Sequence, residues 1–98
     1  MFKKSYAKSG KTCRITFKIP KGSGAQTAAL CGSFNDWNPD SHPMKQLKDG
    51  SFSVALSLKA GQAYQFRYYL DGSRWENDES ADGYAPNEFG THNSVIEI

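Results

Sequence analysis

Tyr64-Gln65-Phe66-Arg67-Tyr68-Tyr69-Leu70-Asp71-Gly72-Ser73-Arg74-Trp75-Glu76 decides the fold. Tyr64, Phe66, Tyr68 and Leu70 alternate with Gln65, Arg67 and Tyr69, the two-residue period of a strand with one buried and one outward face. Asp71-Gly72 follows as a hairpin turn, because glycine tolerates the positive φ that a primed turn demands. Arg74-Trp75-Glu76 is then the short return strand.

The same period recurs on either side. Cys13, Ile15, Phe17 and Ile19 alternate with Arg14, Thr16 and Lys18, a half-buried strand that Lys21-Gly22-Ser23-Gly24 ends. Thr27-Ala28-Ala29-Leu30-Cys31 reads as a strand of small residues packed on both faces. Phe52, Val54, Leu56 and Leu58 alternate with Ser53, Ala55 and Ser57, and residues 94–98 form a closing strand rich in β-branched side chains. No window of ten residues keeps a helical stripe, and Met44 and Leu47 allow one turn at most. The fold expected is all-β, an immunoglobulin-like antiparallel β-sandwich of about seven short strands, with a small barrel as the alternative.

Two stretches do not fit strand and tight turn. Asn35-Asp36-Trp37-Asn38-Pro39 sets a large aromatic among turn formers. Residues 76–93 are a polar run of a length that, without structure of its own, is usually functional or disordered; Tyr84 and Phe89 argue for order.

Composition bounds the function. At 98 residues the chain makes one domain, and 38% hydrophobic against 22% charged residues supports a compact core. A net charge of +2 does not by itself call for nucleic acid. Charge is nevertheless uneven: seven cations and no acid precede Gly22, while seven acids face only Arg74 from Asp71 onward. Residues 1–10 read as a solvated basic tail and 11–98 as the domain. No apolar run is long enough to span a bilayer, and the lysine-rich start lacks a secretory apolar region, so a cytoplasmic setting is expected. Cys13 and Cys31 have neither zinc-site nor disulfide-framework spacing and read as small buried hydrophobes.

Catalysis has little to stand on. His42 and His92 fall in separate loops, no serine or cysteine sits in a nucleophile elbow, and the glycines lack phosphate-cradling spacing. No enzyme activity, cofactor or metal is expected. What converges is aromatic and hydrogen-bonding: Trp37 after the second strand, Trp75 after the hairpin, Arg67 and Tyr69 on one strand face, and Asn93 before the last strand. A pyranose suits such a surface. Its C–H face stacks on an indole, while its hydroxyl rim needs amides or a guanidinium.

Cys31-Gly32-Ser33-Phe34-Asn35-Asp36-Trp37, Gly50-Ser51-Phe52, the stretch from Tyr64 to Gly72 with Trp75, and Phe89-Gly90-Thr91-His92-Asn93-Ser94-Val95 together resemble carbohydrate-binding module family 48. That family includes the isoamylase N-terminal domain and the glycogen-binding domain of the AMP-activated protein kinase β subunit. The similarity covers residues 11–98, and four blocks in order make it specific. It implies an early-set immunoglobulin-like sandwich that binds α-1,4-glucan (glycogen, starch or maltooligosaccharide) without cleaving it. It further implies that Trp37 and Trp75 stack on glucose rings, that Arg67 and Asn93 hold hydroxyls, and that Phe89 and Thr91 lie in the loop along the oligosaccharide. Asn35 and Tyr69 are further candidates. Phe89, and Arg67 where the kinase subunit has lysine, depart from its pattern. The alternative is a protein-interaction module, accessory to a glycogen- or starch-metabolising enzyme, with its sugar surface unused. Neither nucleic acid nor membrane is an expected partner.

Overall fold

The computed structural model describes residues 2–98 and is all-β among them, with nine strands. They are β1 (Phe2–Tyr6), β2 (Thr12–Ile19), β3 (Ala28–Gly32), β4 (Lys45–Gln46), β5 (Phe52–Lys59), β6 (Ala63–Leu70), β7 (Arg74–Glu76), β8 (Gly83–Pro86) and β9 (His92–Glu97). One sheet runs β1-β2-β5-β4 and the other β3-β6-β9-β8, with β7 paired to β6; every pairing is antiparallel. The sandwich expected from alternation is therefore present, with more strands than about seven. The three not anticipated are β1, the two-residue β4 and β8. Each is an edge strand, too short or too polar to carry a clear period.

Inward side chains of both sheets meet in one core. Cys13, Ile15, Phe17, Ile19 and Phe52 from the first sheet pack with Ala28, Leu30, Phe66, Tyr68, Leu70 and Ile96 from the second. Phe17 and Phe66 meet edge to face at 5.0 Å between centroids, a geometry that adds to the gain from burial alone. The hairpin turn is as its residues require: φ is 52° at Asp71 and 66° at Gly72, and Ser73 N–H donates to Leu70 O.

The basic tail expected over 1–10 takes another form in its described part. Phe2–Tyr6 is the outer strand of the first sheet, and residues 7–11 are the turn into β2; Met1 lies outside the described residues. Phe2 is edge-to-face with Phe17 and Phe66, which anchors the strand in the core. Lys4 donates to Asp82 Oδ2 and to Glu97 O, both at 2.8 Å, and so ties β1 to the opposite sheet. Asp82 Oδ2 also accepts from Glu97 N–H at 2.7 Å.

The polar run 76–93 is ordered from beneath. Tyr68, whose hydroxyl burial pushes up in pKa, donates to the buried Asp78 carboxylate at 2.7 Å. Asp78 N–H donates to Ser94 Oγ, which donates to Asn77 Oδ1. A buried carboxylate is tolerated only with partners of this kind, and satisfying it draws the segment onto β6 and β9.

Burial alone would raise the Asp82 carboxyl, but the Glu97 amide and the Lys4 ammonium outweigh it and hold the pKa below the ordinary 3.8. A depressed carboxylate contributes stability above its unfolded pKa that is lost as pH falls through the folded one. Asp82→Asn should therefore lower the thermal midpoint at pH 7. The gap to wild type should narrow as pH falls below the ordinary carboxylate range, as melting curves across pH would show.

Candidate functional site

Strand β6 faces two ways. Phe66, Tyr68 and Leu70 are buried inward, while Gln65, Arg67 and Tyr69 point outward and are half-buried. Directly paired residues share a face, so Trp75 opposite Tyr69, and Val95 opposite Gln65, stand on the same outward surface, as does Asn93 two residues from Val95. Strands β9 and β7 follow one another along the same edge of β6, with β3 on the other edge.

Trp37 is brought to this surface by the segment after β3. Gly32 is required there: a Cβ would lie 2.6 Å from both Gln65 O and the Phe34 ring. Phe34 fills that space and packs against Phe17, Tyr64 and His42. Asn35 pins the bend, accepting from Gly32 N–H at 3.0 Å, donating to Leu30 O at 3.0 Å and meeting His42 Nδ1 at 2.9 Å. Asp36 and Trp37 then adopt left-handed backbone, φ 55° and 59°, and Trp37 N–H closes onto Gly32 O at 3.0 Å. Such a conformation costs a bulky residue on the order of 1–3 kcal/mol and persists only where neighbours impose it. The Phe34 and Asn35 anchors do so.

Trp75 is 40% exposed and backed by Tyr69, the rings 4.3 Å apart at centroids and tilted by 35°. The Tyr69 hydroxyl donates to Gly72 O, fixing that ring to the hairpin. Arg67 lies 6.0 Å from the Trp75 ring, a cation–π approach, and its Nε is buried without a hydrogen-bond partner. A buried unpaired donor at a surface cleft is uncommon and fits a group set aside for something else.

Residues 87–91 form a braced loop. Asn87 Oδ1 accepts from Phe89 N–H, Thr91 N–H and the Thr91 hydroxyl, and Asn87 N–H donates to Thr91 O. Phe89 is left 80% exposed at the tip. Asn93, at 9% exposure, has both amide atoms engaged: Oδ1 accepts from Asn87 Nδ2 at 3.1 Å, and Nδ2 donates to Gln65 Oε1 at 3.0 Å.

These groups enclose a cleft of about 980 Å³, lined by Ser33, Trp37, Gln65, Arg67, Trp75, Asn87, Glu88, Phe89, Thr91 and Asn93. Of the residues singled out from sequence, the structure gathers Trp37, Arg67, Trp75, Phe89, Thr91 and Asn93 there. Asn35 and Tyr69 do not line it. The first braces the loop that carries Trp37, and the second supports Trp75. Sequence reasoning passed over Gln65, Ser33, Asn87 and Glu88. Gln65 had a usable signal, standing two positions before Arg67 on the same strand face; the others lie in loops where no period applies.

The cleft offers two indoles as apolar surface, with a guanidinium and amides as hydrogen-bonding groups beside them. Among the described residues no group of three or more His, Cys, Asp or Glu could hold a metal ion. Cys31 is a free thiol that burial pushes up to about 11, well away from a reactive thiolate.

The family model described as the glycogen recognition site of AMP-activated protein kinase matches residues 13–98. No curated protein gave a significant match.

Asn35→Ala strips partners from Gly32 N–H and Leu30 O at once. It should cost about 1–3 kcal/mol in denaturant unfolding and shift Trp37 emission to the red as the loop loosens.

Proposed function

The chain belongs to the glycogen-recognition family of AMP-activated protein kinase, and from that premise we propose that it is a non-catalytic α-1,4-glucan-binding module in which Trp37 and Trp75 stack on glucose rings. The observation that carries this reading is the shared cleft: two indoles from separate segments line one surface beside Arg67. A glucan chain presents alternating C–H faces and hydroxyl rims, and this pairing of surfaces meets both. Tyr69 behind Trp75, and Phe34 with Asn35 beside Trp37, hold the platforms in place before ligand arrives. That lowers the ordering cost of binding.

Magnitudes set the scale. Each stack contributes about 1–3 kcal/mol, taking bases on aromatics as the guide, and each hydrogen bond nets about 0.5–1.5 kcal/mol. After the cost of association, Kd falls between roughly 1 mM and tens of μM. Glucose alone occupies one stack and binds poorly. Branched glycogen offers many chain segments, so retention rises steeply if modules are paired or assembled.

Trp37→Ala and Trp75→Ala should each abolish retardation in a glycogen-containing native gel while the thermal transition remains cooperative. Unchanged mobility of both variants would overturn the proposal. Arg67→Ala should weaken maltoheptaose binding more than Arg67→Lys, because lysine restores charge without the planar fork. Since the ligand is neutral, raising salt from 50 to 500 mM should change affinity less than about twofold.

A further inference from the structure

His42 stands at the Trp37 bend without lining the cleft. Its backbone is docked on β3: Leu30 N–H donates to His42 O at 2.9 Å, Pro43 pairs with Ala29, and Met44 N–H donates to Ala28 O at 2.8 Å. Its ring meets Phe34 edge to face, centroids 6.2 Å apart, and presents Nδ1 to Asn35 Nδ2 at 2.9 Å. The other contacts of Asn35 set the direction of that hydrogen bond. Oδ1 accepts from Gly32 N–H and Nδ2 donates to Leu30 O, both at 3.0 Å. Turning the amide over would set N–H against N–H at Gly32 and oxygen against oxygen at Leu30. The second hydrogen on Nδ2 therefore goes to the imidazole, and Nδ1 is the acceptor: His42 is neutral, with its proton on Nε2.

Resting on the glucan-binding reading, we propose that His42 is a positioning residue for the Trp37 platform, and that a proton taken up on Nδ1 loosens the platform and weakens glucan binding. An imidazolium carries hydrogen on both nitrogens and accepts at neither. Once protonated, Nδ1–H and the Asn35 N–H face each other where one hydrogen was shared, and Asn35 gives up either this contact or its two backbone ones. Those contacts shape the turn that leads straight into Asp36 and Trp37, whose left-handed backbone persists only while neighbours impose it. No charged partner holds the added proton. Asp36 and Asp40 of the bend and Lys45 of β4 are exposed, and among the described residues none of them bonds to His42. Phe17 of β2 and Tyr64 of β6 reach only the Phe34 ring, and the Tyr64 hydroxyl donates to Lys59 O; β3 presents backbone and apolar side chains. Imidazole exchanges its proton between about pH 5 and 8, so the response falls above the range of ordinary carboxylates.

The test follows two readouts of the full chain at about pH 7.5 and 5.5, a window that spans imidazole titration: maltoheptaose affinity by calorimetry, and the Trp37 indole N–H signal of the ligand-free protein by ¹⁵N NMR. Wild type should bind about three- to tenfold more weakly at the lower pH, the size of one lost hydrogen bond, and its Trp37 signal should shift or broaden while that of Trp75 stays. His42→Leu leaves the Asn35 N–H unpaired and should bind weakly at both pH values. His42→Asn offers a carbonyl oxygen near the Nδ1 position and does not titrate, so it should recover binding relative to His42→Leu and keep it at the lower pH. If His42→Leu does not fold, His42→Asn against wild type decides alone. A response arising at His92, the other histidine, would persist in His42→Asn. That persistence, or a wild type whose affinity and Trp37 signal ignore pH, overturns the inference while leaving glucan binding intact. A wild type that binds no glucan at either pH overturns the glucan-binding reading and with it the effect on affinity, while the ligand-free Trp37 signal still upholds or refutes the hold of His42 on the bend.

Discussion

Strand β6 is the constraint on which the rest depends. Its two-residue period sends Phe66, Tyr68 and Leu70 into the core and Gln65, Arg67 and Tyr69 to the opposite surface. A slip of one residue would exchange those sets, placing a guanidinium in the core and two aromatics and a leucine outside, so the buried face fixes the register of the open one. The strand also bonds to β3 on one edge and to β9 and then β7 on the other. Every segment that lines the cleft belongs to β6, to a strand paired with it, or to a loop that adjoins such a strand.

The loops around the cleft are held by hydrogen-bonded polar side chains as well as by apolar burial. Gly32, Phe34 and Asn35 hold the bend that carries Trp37. Asp78, between Tyr68 and Ser94, draws down the long connection from β7 to β8. Asn87 braces the loop that exposes Phe89. Each arrangement spends hydrogen bonds on fixing shape. For a ligand held by a few stacks and shared hydroxyls, shape fixed in advance decides whether binding is measurable at all.

The sequence showed most clearly what has a period or a tight-turn signature. Strands β2, β5 and β6 and the Asp71-Gly72 hairpin were legible because alternation and a positive-φ dipeptide leave local marks. Strand β1 was not, because its anchoring comes from Phe2 against Phe17 and from Lys4 reaching Asp82, contacts distant in the chain. Strand β8 lay hidden in a polar run whose order depends on a buried carboxylate. In the cleft, Trp37, Arg67 and Trp75 stood out by residue type. The hydrogen bonds linking Asn87, Asn93 and Gln65 did not, since only the folded chain brings these three amides together.

Chemical-shift perturbation of the ¹⁵N-labelled protein titrated with maltoheptaose tests the central claim most directly. Both indole N–H signals should move on one saturating curve together with amides of Gln65, Arg67 and the 87–93 segment, while the outward face of the β1-β2-β5-β4 sheet stays still. Stationary indole signals, or shifts centred on that other sheet, would contradict the account.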